Sequence, residues 1–516
     1  MNPTTTVPAR KPFDRLPDFA LIFLALFAMA WAVARAHLQA VTGDEGDTYL
    51  LWAAAPDPSH WLPSPNNHIL NSILMRLFTA VFGLCPLTVR TPALLGGALY
   101  IAVSLWFSRL IASQWTIRLL LFVCLVYNPF IFDYFVAARG YGLATAFLLY
   151  AIAVPAWCYL KLPNAPTTLI AAAGISSACL ALSFTANFAF AFVEVATLLL
   201  LTFFALRRAK QCQPPAGRRL KWQILAASIL PGSLVVLLLP SWTLLHWEPG
   251  FLFAGVKSLR ETIQSVVEAS VYEPNPQLAN PLVYPVLNAI KPFLIPALCG
   301  LAFLQLVLIL VEFRKHDERA RKLLAVGAVC LGALASWLLL HQAAYSFFRL
   351  LMPVSRTAVF VAPLCTLAIG VCVSIPSHSR AAKWCRRVLL ATLSLTALYF
   401  VMCLRLTHFK EWQYQEDVKR VYDVIAWYNH NRGVENVETS WFYFGALNFY
   451  RELSGRETLA PFTNSGNQPH PLDKQLYVLN DAFEHDFIDA HRLKIVYRGP
   501  RTPVVVAIPP ERAGTK

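Results

Sequence analysis

Charged side chains are scarce in this 516-residue chain. Asp, Glu, Lys and Arg together make up 14% of it, against about 25% in ordinary soluble domains. Hydrophobic residues reach 57% and the mean hydropathy is +0.50, which excludes a wholly water-soluble protein and indicates a polytopic membrane protein. Acids are scarcer than bases, 29 against 44, for a net charge of +15. So positive a charge raises the question of a nucleic-acid partner, and its location decides the matter. From His408 to Lys516 there are 13 Lys and Arg against 14 Asp and Glu, so the tail is near neutral and the excess lies before it. It gathers in short loops between apolar stretches, at Arg207–Lys221, Arg314–Lys322 and Arg380–Arg387. Short basic loops of this kind face the cytoplasm, and no nucleic acid is needed to explain them.

Cysteine is missing from the tail and from the large loops expected outside. All 11 cysteines precede His408, nearly all inside apolar segments or at their edges, so disulfides do not hold the outer parts together and buried packing thiols are expected. No Cys/His pair has metal-ligand spacing, and there is no internal repeat or low-complexity segment.

Taken in order, the polar residues 1–18 lead into an apolar run from Phe19 to Leu38, long enough to cross a core of about 30 Å. It reads as an uncleaved anchor running from inside to outside. The spacing predicts a second crossing over 68–84, returning inside near Arg90, and a third over 91–111. Were 115–132 a full crossing as well, the basic run 207–221 would face outside, against the charge rule; a partial or re-entrant segment restores every loop to its side. Later crossings fall near 141–160, 167–185, 187–206, 222–245, 291–312, 323–342, 353–375 and 388–407. The predicted fold is mostly α, a polytopic transmembrane helix bundle over 1–407 with about 11–13 crossings. Outer loops span 39–67 and 246–290, the second with an amphipathic helix that lies on the outer surface or packs against a partner helix. Beyond Thr407 the hydropathy drops, and 408–516 alternates helix and strand patterns, as in a packed α/β domain outside the membrane. The amino terminus is then cytoplasmic and the tail extracytoplasmic.

The stretch Thr42–Ser72 is the most informative. It holds Asp44 and Glu45 immediately beyond a membrane-length helix, a third acid at Asp47, and the run Asn66, Asn67, His68, Asn71 at the mouth of the next helix. Ionisable groups beside lipid are costly and mark function by default, although acids also occur wherever a helix leaves the bilayer. With sides set by charge, Asp44, Glu45, His68, Arg139, Asn187, Glu248 and Arg356 reach the same surface. Arginine forks match phosphate oxygens, and a carboxylate beside them could be a general base toward a hydroxyl. Snorkelling or counter-charging would equally account for the two arginines. Two acids and a histidine could also hold a hard divalent cation, or work without one.

Five stretches carry a resemblance: GDEGDTYLLW, SPNNHILNSILMRLFTAVFG, VRTPALLGGALYIAVSLWFSRL, NPFIFDYFVAARGYGLATAFLL and LMPVSRTAVFVAPL. In this order and spacing, over about 1–375 and most strongly over 40–150, they resemble the GT-C superfamily of integral-membrane glycosyltransferases. The branch they are most similar to is the bacterial one of protein O-mannosyltransferases and aminoarabinose transferases. The resemblance implies a bacterial inner-membrane enzyme that moves a sugar, with inversion, from a polyprenyl-phosphate donor to an acceptor hydroxyl of a lipid, glycan or protein on the periplasmic face. Carried over by residue, it implies a catalytic acidic motif at Asp44 and Glu45 and donor-phosphate contacts at Arg139, Tyr141 and Arg356. Position at the outer surface makes Asp44 the expected base with Glu45 as electrostatic or metal-binding partner, and makes Asn67, His68 and Asn71, at the mouth of the next helix, the expected acceptor or substrate contacts. NNHILN stands where many relatives carry a His-Pro-Pro-Leu type sequence, which bears on the acceptor contact. The competing readings are a transporter or flippase of a lipid-linked glycan, which paired half-helices in inverted repeats would favour, and a non-catalytic envelope-assembly subunit working through its tail.

Overall fold

Backbone N–H and C=O groups find no partners in lipid, so long apolar stretches fold as helices that satisfy them internally. The computed structural model describes residues 16–57, 61–212, 217–247, 255–455, 457–466 and 470–510. Among the described residues ten helices are long and apolar enough to cross a membrane, and the chain is a multi-pass membrane protein. Helix α1 (Leu16–Leu38) leads from the end of the bundle that carries the basic loops to the opposite end, called here the site end. There the chain forms the short α2 (Gly43–Thr48), a π turn at Tyr49–Ala53 and α3 (Ile69–Phe82).

The next three helices depart from expectation. Helix α4 (Pro86–Ile111) starts with Arg90 on Glu45, just past the end of α1, and finishes with Arg109 3.2 Å from Asp18 in the first turn of α1. It therefore runs back along α1, from the site end to the basic end. Helix α3 lies between two points at the site end and does not cross: its 14 residues rise only about 21 Å at ~1.5 Å each. The return is made by the segment expected to be partial. Helix α5 (Trp115–Val126) climbs beside α1, the Tyr127 hydroxyl donating to the Leu24 carbonyl at 2.7 Å, and α6 (Pro129–Asp133) completes the path with Asp133 2.6 Å from Arg35. Pro129 breaks the continuous helix, since the residue before a proline is driven out of the α region; Asn128 then caps α6 by accepting from the Phe130 N–H. Moving one crossing from 68–84 to 115–133 leaves eleven passages among the described residues, as ten long helices and α5 with α6 alternate between the two ends.

The later helices fall where predicted: α7 (Tyr141–Lys161), α8 (Pro166–Ala186), α9 (Ala191–Ala209), α10 (Arg218–Leu238), then the short α11 (Ser241–His246) and α12 (Leu259–Ser270) at the site end, α13 (Val283–Val311), α14 (Glu318–Phe348), α15 (Val361–Ser374) and α16 (Arg380–Met402). The amphipathic helix of the 246–290 loop is α12. Ser258 and Glu261 close its first turn as a capping box, and Thr262, Val266, Ala269 and Ser270 are its buried face. It packs beside the 355–358 turn, whose Ser355 N–H donates to the Ser265 hydroxyl at 2.8 Å. Glu248, expected at the same surface, lies outside the described residues. All 11 cysteines are free.

After α16 the chain builds α17 (Val418–Arg432), β1 (Val437–Thr439), α18 (Trp441–Ser454), β2 (Leu476–Asn480), α19 (His485–Ala490), β3 (Lys494–Arg498) and β4 (Val504–Ile508). The sheet order is β1-β2-β4-β3, with β1 parallel to β2 and the other pairs antiparallel. Strands β2 and β4 are wholly buried and apolar on both faces up to Asn480 at the end of β2, whereas edge strand β3 ends in exposed Lys494 and Arg498 and carries a bulge between Ile495 and Tyr497. The apolar core of this unit continues into Val41, Ala53, Met75, Val89 and Ala138 of the membrane module. The tail is seated on the site end.

Candidate active site

Helix α2 is six residues long and could not hold its shape alone, since nucleating one turn is unfavourable. Three devices fix it. Thr42 and Glu45 form a capping box, the Thr42 hydroxyl accepting from the Glu45 N–H and the Glu45 carboxylate accepting from the Thr42 N–H at 2.8 Å. The same carboxylate takes a fork from Arg90 at 2.9 and 2.7 Å and the N–H of Ala138 at 3.0 Å. The third device is the tail: α18 crosses α2 where Gly46 faces Gly445, and a Cβ on Gly46 would stand 2.2 Å from the Gly445 carbonyl.

Glu45 and Arg90 are fully buried, and the other Arg90 donors are spent on the carbonyls of Ala36, Gln39 and Ala40. Both Glu45 oxygens are therefore committed, which leaves neither free for a metal ion. Glu45 positions α2.

Asp44 faces the other way. Its Oδ2 receives Arg356 Nη1 at 2.8 Å and lies 3.6 Å from Arg139 Nε. Arg139 is fully buried and further held by the Thr48 hydroxyl at 2.8 Å and the Asn66 side-chain oxygen. Gly140, in the left-handed region at φ 72°, lets the chain turn into α7 immediately after it; a Cβ there would stand 2.3 Å from the Ala186 carbonyl. Arg356 is presented from a tight turn after Ser355, a non-glycine residue also in the left-handed region at φ 46°. The site thus brings together Asp44, Arg139 and Arg356 from three parts of the chain. Burial pushes the Asp44 carboxyl up, but Arg139 and Arg356, with hydrogen bonds from Arg356 and Trp412, more than offset it and hold the group below its ordinary value.

The tail contributes residues that the sequence reading missed. Glu411 lies 3.4 Å from Arg356 and accepts from the Tyr134 hydroxyl at 3.0 Å, while the Trp412 ring stacks under the Arg356 guanidinium at 5.3 Å. Glu411 sits a few residues past the last apolar helix, as Asp44 does past the first, so the reasoning that singled out Asp44 applies to it too. Asp47, one turn beyond Asp44, makes no ion pair among the described residues; burial first, then the Asp44 charge, raise its pKa to about 6.

Tyr141 joins the cluster, its ring 5.2 Å from His68 and 4.7 Å from Tyr134. Asn67, His68 and Asn71 were expected at an open mouth and are instead buried. His68 Nδ1 bonds the Ala186 carbonyl at 3.0 Å, Asn71 donates to the Ala138 carbonyl at 3.0 Å, and Asn67 accepts from the Ser72 hydroxyl at 2.8 Å. Of the three, Asn71 bonds the 137–140 turn directly. Burial, and then the Arg139 charge, keep the His68 imidazole neutral. Among the described residues no group of three or more His, Cys, Asp and Glu could hold a metal ion, and guanidinia already occupy the free face of Asp44. The arrangement does not fit a divalent cation, and no step is derived through one.

No family model matches the sequence, and no curated protein does. Solved structures are similar over nearly the whole chain. ArnT from Cupriavidus metallidurans, an aminoarabinose transferase, matches in its apo state at 13% identity and a TM-score of 0.47, over 95% of this chain and 97% of that one. The same protein bound to undecaprenyl phosphate matches at 15% and 0.46, over 95% and 98%. The apo Archaeoglobus fulgidus oligosaccharyltransferase matches at 12% and 0.45, over 92% of this chain and 70% of that one. These are GT-C glycosyltransferases, the class the sequence motifs resemble. With TM-scores below 0.5 the likeness assigns no residue a role.

Proposed function

We propose that this protein is an inverting membrane glycosyltransferase that moves a sugar from a polyprenyl-phosphate donor to an acceptor hydroxyl at the extracytoplasmic face of a bacterial inner membrane. The observation that carries the reading is the clamp of Arg356 and Arg139 on the Asp44 carboxylate, at the end of the bundle opposite the basic loops. Two guanidinia and one carboxylate are the parts that such a transfer needs. The donor is a phosphodiester with one negative charge; as the bond from the anomeric carbon to the phosphate oxygen breaks, the lipid phosphate leaves with two. Arginines facing that phosphate bind it more strongly at the transition state than in the ground state, which is the condition for catalysis.

Arg356 is partly open to solvent, at 25%, and is shared between Asp44 and Glu411, so a donor phosphate can take over its guanidinium. Asp44 then loses a counter-charge and its affinity for a proton rises. It removes the acceptor proton as the hydroxyl oxygen attacks the anomeric carbon from the face opposite the departing phosphate. Arg139, wholly buried, stays in place and keeps the carboxylate oriented. The leaving phosphate needs no second acid.

The test is transfer in vitro from a panel of polyprenyl-phosphate sugars to a membrane extract, with mass spectrometry of the product. Asp44→Asn is expected to retain donor binding and lose turnover by about 10²- to 10⁴-fold, the usual worth of a general base. Arg356→Ala is expected to weaken donor binding. Near-normal turnover in correctly inserted Asp44→Asn protein would falsify the assignment.

A further inference from the structure

A cavity of about 530 Å³ opens at the basic end, between α7, α8, α9 and α14. Its interior is apolar, with Ile152, Ala172 and Val329 among the walls, while Arg207, Arg208 and Lys210 stand at its mouth. The volume is in the range of cavities that hold small ligands, about 300–1,000 Å³. Its walls are membrane-spanning helices, and Asp44 is not among the residues that line it.

The charges at the mouth are arranged around one ring. The Arg208 guanidinium lies over Tyr159 at 4.7 Å and the Lys322 ammonium over the same ring at 5.9 Å. Of these cations only Lys322 has an ion-pair partner among the described residues, Glu318 at 2.7 Å. Arg207 rests on the Phe203 ring at 5.4 Å. Cations stacked on aromatic faces keep their N–H edges free for an anion. An apolar chamber in a helix bundle with cations at the membrane-surface end, of which only Lys322 is paired among the described residues and that with the exposed Glu318, has the chemistry of a lipid site: the chamber takes an acyl chain, and the cations take a phosphate.

We propose that this cavity binds one molecule of an anionic phospholipid from the leaflet on the basic side, its phosphate held by Arg208 and Lys322 and an acyl chain lodged inside. The inference does not rest on the glycosyltransferase reading, and none of these residues belongs to the candidate active site.

The experiment uses the purified full-length chain reconstituted in phosphatidylcholine bilayers, with spin-labelled phosphatidylglycerol or spin-labelled phosphatidylcholine as probe. The motionally restricted fraction measures association. Wild-type protein is expected to prefer phosphatidylglycerol by at least about fivefold, the worth of one cation at a membrane surface. The Arg208→Gln/Lys322→Gln protein should lose that preference. Ala172→Phe, which fills the chamber and leaves the cations untouched, should lose it too and serves if the double variant does not fold. Equal association of both probes with wild-type protein, or a preference that survives both variants, overturns the proposal. So does competition by inorganic phosphate at the same concentration as the lipid, because a site that reads a free anion has no need of the chamber.

Discussion

Two adjacent carboxylates, Asp44 and Glu45, look equivalent as letters and sit in opposite environments. Glu45 is sealed, its carboxylate accepting four hydrogen bonds of which two come from Arg90, whereas Asp44 is about a quarter open and shares its arginines. Removing one member of a fully buried ion pair leaves a charge without solvent or partner, at a cost of about 3–5 kcal/mol. Glu45→Gln is therefore expected to lower thermal stability sharply and reduce the yield of inserted protein, while Asp44→Asn, at a partly open site where the amide oxygen can still accept from Arg356, lowers turnover with a smaller loss of melting temperature. Calorimetry or light scattering on the two variants separates them; similar melting losses would remove the distinction. Asp47 offers a pH signature. Its folded pKa, about 6, is above the ordinary 3.8, so the native state binds its proton more tightly than the unfolded chain. The stability this provides is complete below the unfolded value and fades as pH rises through about 6. Asp47→Asn is thus expected to match wild type below about pH 4 and to melt higher above about pH 7.

At the scale of elements, the decisive contact is between α2 and α18. Gly46 and Gly445 let two backbones meet where any side chain would intrude: a Cβ on Gly445 would come within 2.4 Å of the Asp47 carboxylate and 2.5 Å of the Gly43 carbonyl. Because the second of these is backbone, relief requires one helix to lift off the other. Overpacking of this kind costs about 1–3 kcal/mol. In Gly445→Ala the tail is expected to keep its sheet while α2 loosens. Hydrogen exchange should rise over 41–54 without a matching rise in the strands, and turnover should fall. Unchanged exchange over 41–54 would show that the tail does not brace the acidic helix. Glu411 and Trp412 reach the site by a separate route, on the segment after α16 whose His408 carbonyl accepts from Arg35 and whose Lys410 N–H donates to Asp133.

The whole molecule has one end rich in basic loops and one end holding the acids, the tail and the arginine clamp. The positive-inside rule is the ground for the proposal that the basic end is cytoplasmic, with the amino terminus inside and the tail outside. The passage of the chain through α3, α4 and α5 makes a sharper test than the termini. Because α3 stays at the site end, a topology reporter fused after Leu84 should read out on the same side as one fused after Lys516, and opposite to one fused after Gly217. A reporter after Leu84 on the side of the Gly217 fusion would restore the second crossing over 68–84 and undo the placement of α4.

The sequence by itself determined the class of the molecule, because hydropathy and charge act through the bilayer wherever the chain goes. Helix lengths, the basic loops and the strand pattern of the tail are all local in this sense. It also pointed to Asp44, Arg139 and Arg356, since an ionisable residue beside lipid stands out against an apolar background. What only the tertiary structure decided was pairing. Arg90 reads as one more basic residue on a loop until it is found wrapped around Glu45. The route of 68–133 was misread because a 14-residue apolar helix and a proline-broken one carry similar hydropathy, and only contacts with α1 show which of them spans. Glu411 joins Arg356 across 55 positions by the seating of one unit on another, a packing outcome with no periodicity in the chain to announce it.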